Sequence, residues 1–132
     1  MIKNLLLIDD DAIDQKIYRR IIDKSGLVEN YRCFTYADEA IAYLRKPDRP
    51  AIDAILLDIR MPRMDGFEFL EAATVEFGDS FTKVAVIMLT TSTSAHDRNR
   101  ANEFAVVKAY ITKPLELSHL AMIDDLLNQR SA

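Results

Sequence analysis

Leu5-Leu6-Leu7-Ile8-Asp9-Asp10-Asp11 decides how the chain is read. Four consecutive apolar residues suit a short strand covered on both faces, the pattern of a parallel sheet. Three aspartates stop it, and Ile13, Ile17 and Ile21 then recur every four residues, with Ile22 widening the stripe. The spacing predicts a helix capped by Asp11 and stopped at Gly26. One strand–helix unit is thus spelled out at the start of the chain.

The same grammar repeats downstream. Tyr31 to Phe34 reads as a weaker strand and Ala37 to Leu44 as a short helix, closed by the charged loop Lys46-Pro47-Asp48-Arg49-Pro50. Ile52 to Leu57 is a second buried strand, ended by Asp58. After a Pro- and Gly-containing loop to Gly66, Phe67, Leu70, Ala73 and Phe77 follow at helical spacing. Val84 to Leu89 is the next strong strand, ending at Thr90-Thr91-Ser92, and Ala95 to Phe104 is read as a helix. Ala109 to Thr112 is the last strand, closed by Lys113-Pro114. Leu117 to Asn128 is a final helix with Leu120, Ile123 and Leu127 on one face. The order is (βα) five times. It predicts an α/β fold, a doubly wound parallel five-stranded sheet with right-handed crossovers.

In such sheets chemistry gathers at the carboxyl ends of the strands. Here those ends carry Asp9, Asp10 and Asp11, then Asp58, then Thr90, then Lys113. Taken singly, an aspartate run is a helix cap, Asp58 a turn residue, Thr90 a strand residue and Lys113 a solvated lysine. Four such residues on one rim are hard to explain separately. Clustered carboxylates repel unless a cation sits among them, and magnesium needs only one or two of them while pairing readily with phosphate oxygens. A hydroxyl and an amine complete a set suited to phosphoryl chemistry on a carboxylate nucleophile.

Composition narrows the field. The 132 residues carry 17 Lys plus Arg and 21 Asp plus Glu, a net charge of −4, with no electrostatic footprint for nucleic acid or an anionic membrane. Cys33 is the only cysteine, and His96 and His119 lie too far apart in sequence for a metal pair. The longest apolar run, Val84 to Leu89, is too short to span a bilayer, and the early aspartates argue against a signal peptide. A single cytoplasmic domain over residues 1–132 is expected. Read as a calcium loop from Asp9, the chain puts Asp14 where glycine belongs and Arg20 where glutamate belongs. No glycine-rich nucleotide loop is present.

Four segments carry a resemblance. Leu-Leu-Ile-Asp-Asp-Asp ending at Asp11, Leu-Leu-Asp-Ile-Arg-Met-Pro-Arg-Met-Asp-Gly ending at Gly66, Met-Leu-Thr-Thr-Ser ending at Ser92 and Tyr-Ile-Thr-Lys-Pro ending at Pro114 occur in this order. Together the chain resembles the receiver domain of bacterial two-component response regulators, of the stand-alone type with no output domain. The resemblance implies a flavodoxin-like sheet of order 2-1-3-4-5. It implies that Asp58 is the phosphoacceptor, supplied by a sensor histidine kinase or phosphotransfer protein. Mg²⁺ would be held by Asp10, Asp58 and the backbone carbonyl of Arg60, with Asp9 acting through water. Lys113 would assist transfer, Thr90 and Tyr110 would form the switch, and the Lys113–Pro114 bond would be cis.

The resemblance further implies a changed surface over the fourth helix, fifth strand and fifth helix, read by a downstream protein target or by a second copy in a homodimer. Arg60 and Ser92, two residues beyond Asp58 and Thr90, are expected to overhang the phosphoryl group, and Arg60 with Thr91 to shield it. Thr91 is bulkier than the residue usual there, and Phe104 to Ala109 lacks the glycine often found before the last strand. A phosphate sink without an output partner and a Mg²⁺-dependent aspartate-nucleophile phosphohydrolase are the alternatives. The expected chemistry is on the chain's own carboxylate, so no enzyme acting on external substrates is expected. Dehalogenase-type phosphatases usually carry an aspartate where Arg60 stands.

Overall fold

A computed structural model describes residues 1–131; Ala132, the end of the expected domain, lies outside the described residues. Five strands alternate with helices: β1 (Ile2–Ile8), α1 (Ala12–Ser25), β2 (Val28–Phe34), α2 (Ala37–Leu44), β3 (Ala54–Leu57), α3 (Gly66–Phe77), α4 (Asp79–Thr82), β4 (Ala85–Thr90), α5 (Ala95–Asn102), β5 (Val107–Thr112) and α6 (Leu117–Ser131). All strand pairs are parallel and their order is β2-β1-β3-β4-β5, the flavodoxin-like arrangement expected.

Side-chain alternation sorts the apolar residues onto two faces. Leu6, Ile8, Ile55, Leu57, Val86 and Met88 point to the layer that holds α2, α3 and Ala101 of α5. Leu5, Leu7, Leu56, Ile87 and Leu89 point to the other, against Tyr18 and Ile22 of α1 and Leu120 and Ile123 of α6. Every residue of β3 and β4 is buried, which accounts for their unbroken apolar runs.

The differences from expectation are local. β1, β2 and β5 begin earlier than expected: Lys3, Asn4, Glu29, Asn30 and Lys108 interrupt the apolar pattern, yet Asn4 still pairs with Asn30, and in β5 the ladder runs from Val107 to Ala109 across a register shift at Lys108. β3 and β4 start later, at Ala54 and Ala85, and α5 ends at Asn102. A sixth helix, the single turn Asp79–Thr82, follows Gly78. The α1 stripe is corrected: Ile13 is 71% and Ile17 40% exposed, and the buried positions are Tyr18 and Ile22. The caps hold as expected. The Asp11 carboxylate accepts from the Ile13 and Asp14 amides at 2.8 and 3.2 Å, and Gly26 has φ +67°, which favours glycine.

Candidate functional site

Strand register brings the rim residues together. Ile8 pairs with Leu57, so Asp9 and Asp58 emerge side by side, and the Asp58 amide donates to the Ile8 carbonyl at 3.0 Å. On the far side Thr90 pairs with Thr112, and the Lys113 amide donates to the Thr90 carbonyl at 2.8 Å. The Lys113–Pro114 bond is cis. Gly66 closes the loop after β3: its amide donates to the Ile59 carbonyl at 2.9 Å, and a Cβ there would stand 2.4 Å from the Asp58 carbonyl oxygen. Only glycine lets α3 start this close to position 58.

Asp9, Asp10 and Asp58 each offer a carboxylate oxygen within 4.8 Å of the others. Asp9 and Asp58 are buried, Asp10 partly exposed. Lys113 lies among them, its Nζ 2.9 Å from Asp9, 2.7 Å from Asp14 and 3.3 Å from Asp58. Burial works against the ammonium, but hydrogen bonds to Asp14 and Asp9 and the charges of Asp9 and Asp58 hold its pKa above the ordinary lysine range. Burial first, and the Asp9 charge second, push the Asp58 carboxyl upward, against the opposing pull of Lys113 and the Ile59 amide. The Ile59 amide donates to Asp58 Oδ1 at 2.8 Å, leaving Oδ2 toward Lys113.

Four carboxylates around one ammonium leave uncompensated negative charge, and every donor is a hard oxygen. That set fits a divalent cation such as Mg²⁺, which takes few carboxylates and completes its shell with water. The donor chemistry disfavours a soft metal.

Thr90 is fully buried, and its Oγ1 accepts from the Ser92 amide at 3.3 Å. The Tyr110 hydroxyl donates to the Ser92 carbonyl at 3.0 Å. Thr91 is exposed. Arg60 and Ser92 meet, but through a third residue: the Arg60 guanidinium and the Ser92 hydroxyl both donate to Asp97.

Sequence reasoning missed four partners. Tyr18 donates to Asp9 Oδ2 at 2.7 Å, and burial, then that hydrogen bond, keeps its phenol protonated far above the usual range. Gln15 donates to the Asp9 carbonyl at 2.6 Å. Asp14 holds Lys113, and Asp97 is buried in a helix of polar composition. Tyr18 follows Asp14 by one helical turn of α1, so both side chains lie on the helix face that meets Asp9 and Lys113.

A family profile for the response regulator receiver domain matches residues 5–123. The sensor histidine kinase CheAY of Helicobacter pylori is 33% identical over 119 residues, covering 90% of this chain. The chain spans only 14% of that kinase's length. A two-component response regulator from Cytophaga hutchinsonii superposes with TM-score 0.87 at 28% identity, covering 97% of this chain and 98% of that one. The phosphorylated cyanobacterial phytochrome response regulator RcpA superposes with TM-score 0.78 at 25% identity, covering 96% and 91%. With the profile running through all five strands and the carboxylates clustered at their ends, the chain belongs to the response regulator receiver domain family.

Proposed function

We propose that Asp58 accepts a phosphoryl group from a phosphohistidine of a histidine kinase or phosphotransfer protein, and that the chain acts as a phosphorylation-dependent signalling switch. The observation that carries this is the placement of Asp58: a buried carboxylate with one oxygen tied to the Ile59 amide and the other facing Lys113, beside Asp9 and Asp10. Asp58 Oδ2 attacks phosphorus in line, the phosphorus–nitrogen bond breaks, and the imidazole leaves with its electron pair. Lys113 is placed to neutralise charge on the transferring oxygens. Asp10 and Asp58, with the Arg60 carbonyl, would hold Mg²⁺, and Asp9 would act through water; bound there, the ion supplies charge neutralisation for the transferring group. The reaction is confined to the chain's own carboxylate.

After transfer the Thr90 hydroxyl donates to a phosphoryl oxygen, giving up its place beside the Ser92 amide. Tyr110, bonded to the Ser92 carbonyl, is thereby released to change orientation, altering the surface of α5, β5 and α6 that a downstream protein or second copy reads. Among the described residues no helix is long and apolar enough to cross a membrane, in keeping with a cytoplasmic switch.

Incubation with acetyl phosphate and Mg²⁺ followed by intact-mass measurement tests the assignment. The mass should rise by one phosphoryl group in the wild type and not in Asp58→Asn. Full loading of Asp58→Asn would overturn it.

A further inference from the structure

Arg60 and Ser92 stand on different loops, and one carboxylate holds both. Asp97, in the first turn of α5, is 5% exposed. Its Oδ2 accepts from the Ser92 hydroxyl at 2.7 Å and from the Arg60 guanidinium at 3.1 Å, while its backbone N–H donates to Ser94 Oγ at 3.3 Å. In α5 only Asp97 and Ala101 are buried, so this aspartate is the one charged side chain the helix withdraws from water. A buried carboxylate persists where it is paired. The two ends of the tie differ. Ser92 is partly buried and also receives the Tyr110 hydroxyl, whereas the Arg60 side chain is 76% exposed. Arg60 is therefore the solvent-facing end of the tie and Ser92 the anchored one.

We propose that Asp97 is a positioning residue that draws Arg60 away from position 58 at rest, and that a phosphoryl group on Asp58 competes with it for the guanidinium. The inference rests on reading Asp58 as the phosphoacceptor. Arg60 is two residues from Asp58, at most about 7 Å of backbone, well within the reach of an arginine side chain. A phosphoryl group carries more negative charge than a carboxylate and offers three acceptor oxygens to the planar guanidinium fork. When Arg60 transfers, Asp97 keeps only Ser92, and the loop that holds the Tyr110 hydroxyl loses its tie to the loop after β3.

The competition also sets how long the phosphoryl group lasts. In hydrolysis a water oxygen attacks phosphorus, the bond from phosphorus to the Asp58 oxygen breaks, and inorganic phosphate leaves. A guanidinium lying over the phosphoryl oxygens obstructs that approach. Asp97 thus shortens the lifetime by keeping Arg60 occupied. Asn at position 97 retains the shape and an acceptor for Ser92 but loses the charge that holds Arg60.

The full-length chain is loaded with acetyl phosphate and Mg²⁺, desalted, and followed by intact mass in four forms: wild type, Asp97→Asn, Arg60→Ala and the double variant. Asp97→Asn should lose the phosphoryl group at least about threefold more slowly than wild type, the scale of an ion pair whose arginine is solvent-exposed. Arg60→Ala and the double variant should match each other. An unchanged or faster rate in Asp97→Asn overturns the proposal, as does a slowing that persists without Arg60. A second measurement needs no substitution: the Arg60 Nε–Hε resonance of wild type should move when beryllofluoride and Mg²⁺ occupy the site, and an unmoved resonance with saturated beryllofluoride overturns the proposal. Failure of wild type to take either group refutes the phosphoacceptor reading and this proposal with it, whereas normal loading with unaltered Asp97→Asn kinetics refutes only the role of Asp97.

Discussion

Tyr18→Phe removes one hydroxyl from the least accessible part of the site. The Tyr18 hydroxyl donates at 2.7 Å to Asp9 Oδ2, with both residues at most 3% exposed. The phenyl ring keeps its place against Ile22 and the strands, so no cavity opens and the change is confined to the hydrogen bond. Asp9 retains the Asp11 amide at 2.9 Å and Lys113 at 2.9 Å. Hydrogen bonds to charged groups contribute about 1.5–3 kcal/mol, and no water can take the vacated position cheaply. For a domain of this size each kcal/mol lowers the melting temperature by roughly 4 °C, so the midpoint should fall by about 6–12 °C. Urea and thermal unfolding in EDTA measure it, with an unchanged urea slope showing that the folded state is otherwise intact. The lost donor also leaves Asp9 with less compensated charge, so Mg²⁺ should stabilise the variant more than wild type. A loss below about 0.5 kcal/mol, far under the charge-assisted range, would refute the reasoning.

Other outcomes follow from the same geometry. Because burial and Asp9 raise the Asp58 pKa in the folded state, ionising it costs folding energy; that cost is absent below about pH 4, develops as pH rises through the raised value, and persists above it. Without Mg²⁺, Asp58→Asn should therefore be more stable than wild type at pH 7, by a margin that closes as the pH falls, and urea titrations at several pH values read it. Asp14→Asn frees Lys113 from its 2.7 Å ion pair, and phosphorylation by acetyl phosphate should accelerate about two- to fivefold in initial rate. Thr90→Ala should still load with phosphate, yet beryllofluoride should no longer shift the ¹⁹F signal of fluorotyrosine at Tyr110, since a charge-assisted hydrogen bond of about 1.5–3 kcal/mol is comparable to the coupling itself.

The parts legible in the sequence are those where an apolar run ends abruptly. Asp9 and Asp58 follow β1 and β3 and Thr90 closes β4, each next to buried apolar residues, so a polar residue there has one place to go, the rim; Lys113 follows the edge strand β5, where Thr112 pairs with Thr90. The helices were harder because polar residues are normal on them. Asp14 and Asp97 look like solvated or capping residues until the fold sets Lys113 and Ser92 beside them. In α1 the apolar spacing of Ile13 and Ile17 points to a neighbouring stripe, while Tyr18 is turned inward by a hydroxyl whose partner, Asp9, lies nine residues back. No local pattern encodes such a partner, since it depends on how the helix docks.

The pairing of Ile8 with Leu57 ties chemistry to folding through a single alignment. Sliding β3 by one residue would turn its inward side chains outward and carry Asp58 out of line with Asp9. A misaligned chain thus loses its core and its site in the same step, and a chain that retains the site has its central strands correctly matched. Phosphoryl uptake can therefore serve as a reporter of conformational quality: across a urea titration, the fraction of molecules able to be loaded should follow the fraction folded, with no compact yet inert population between them.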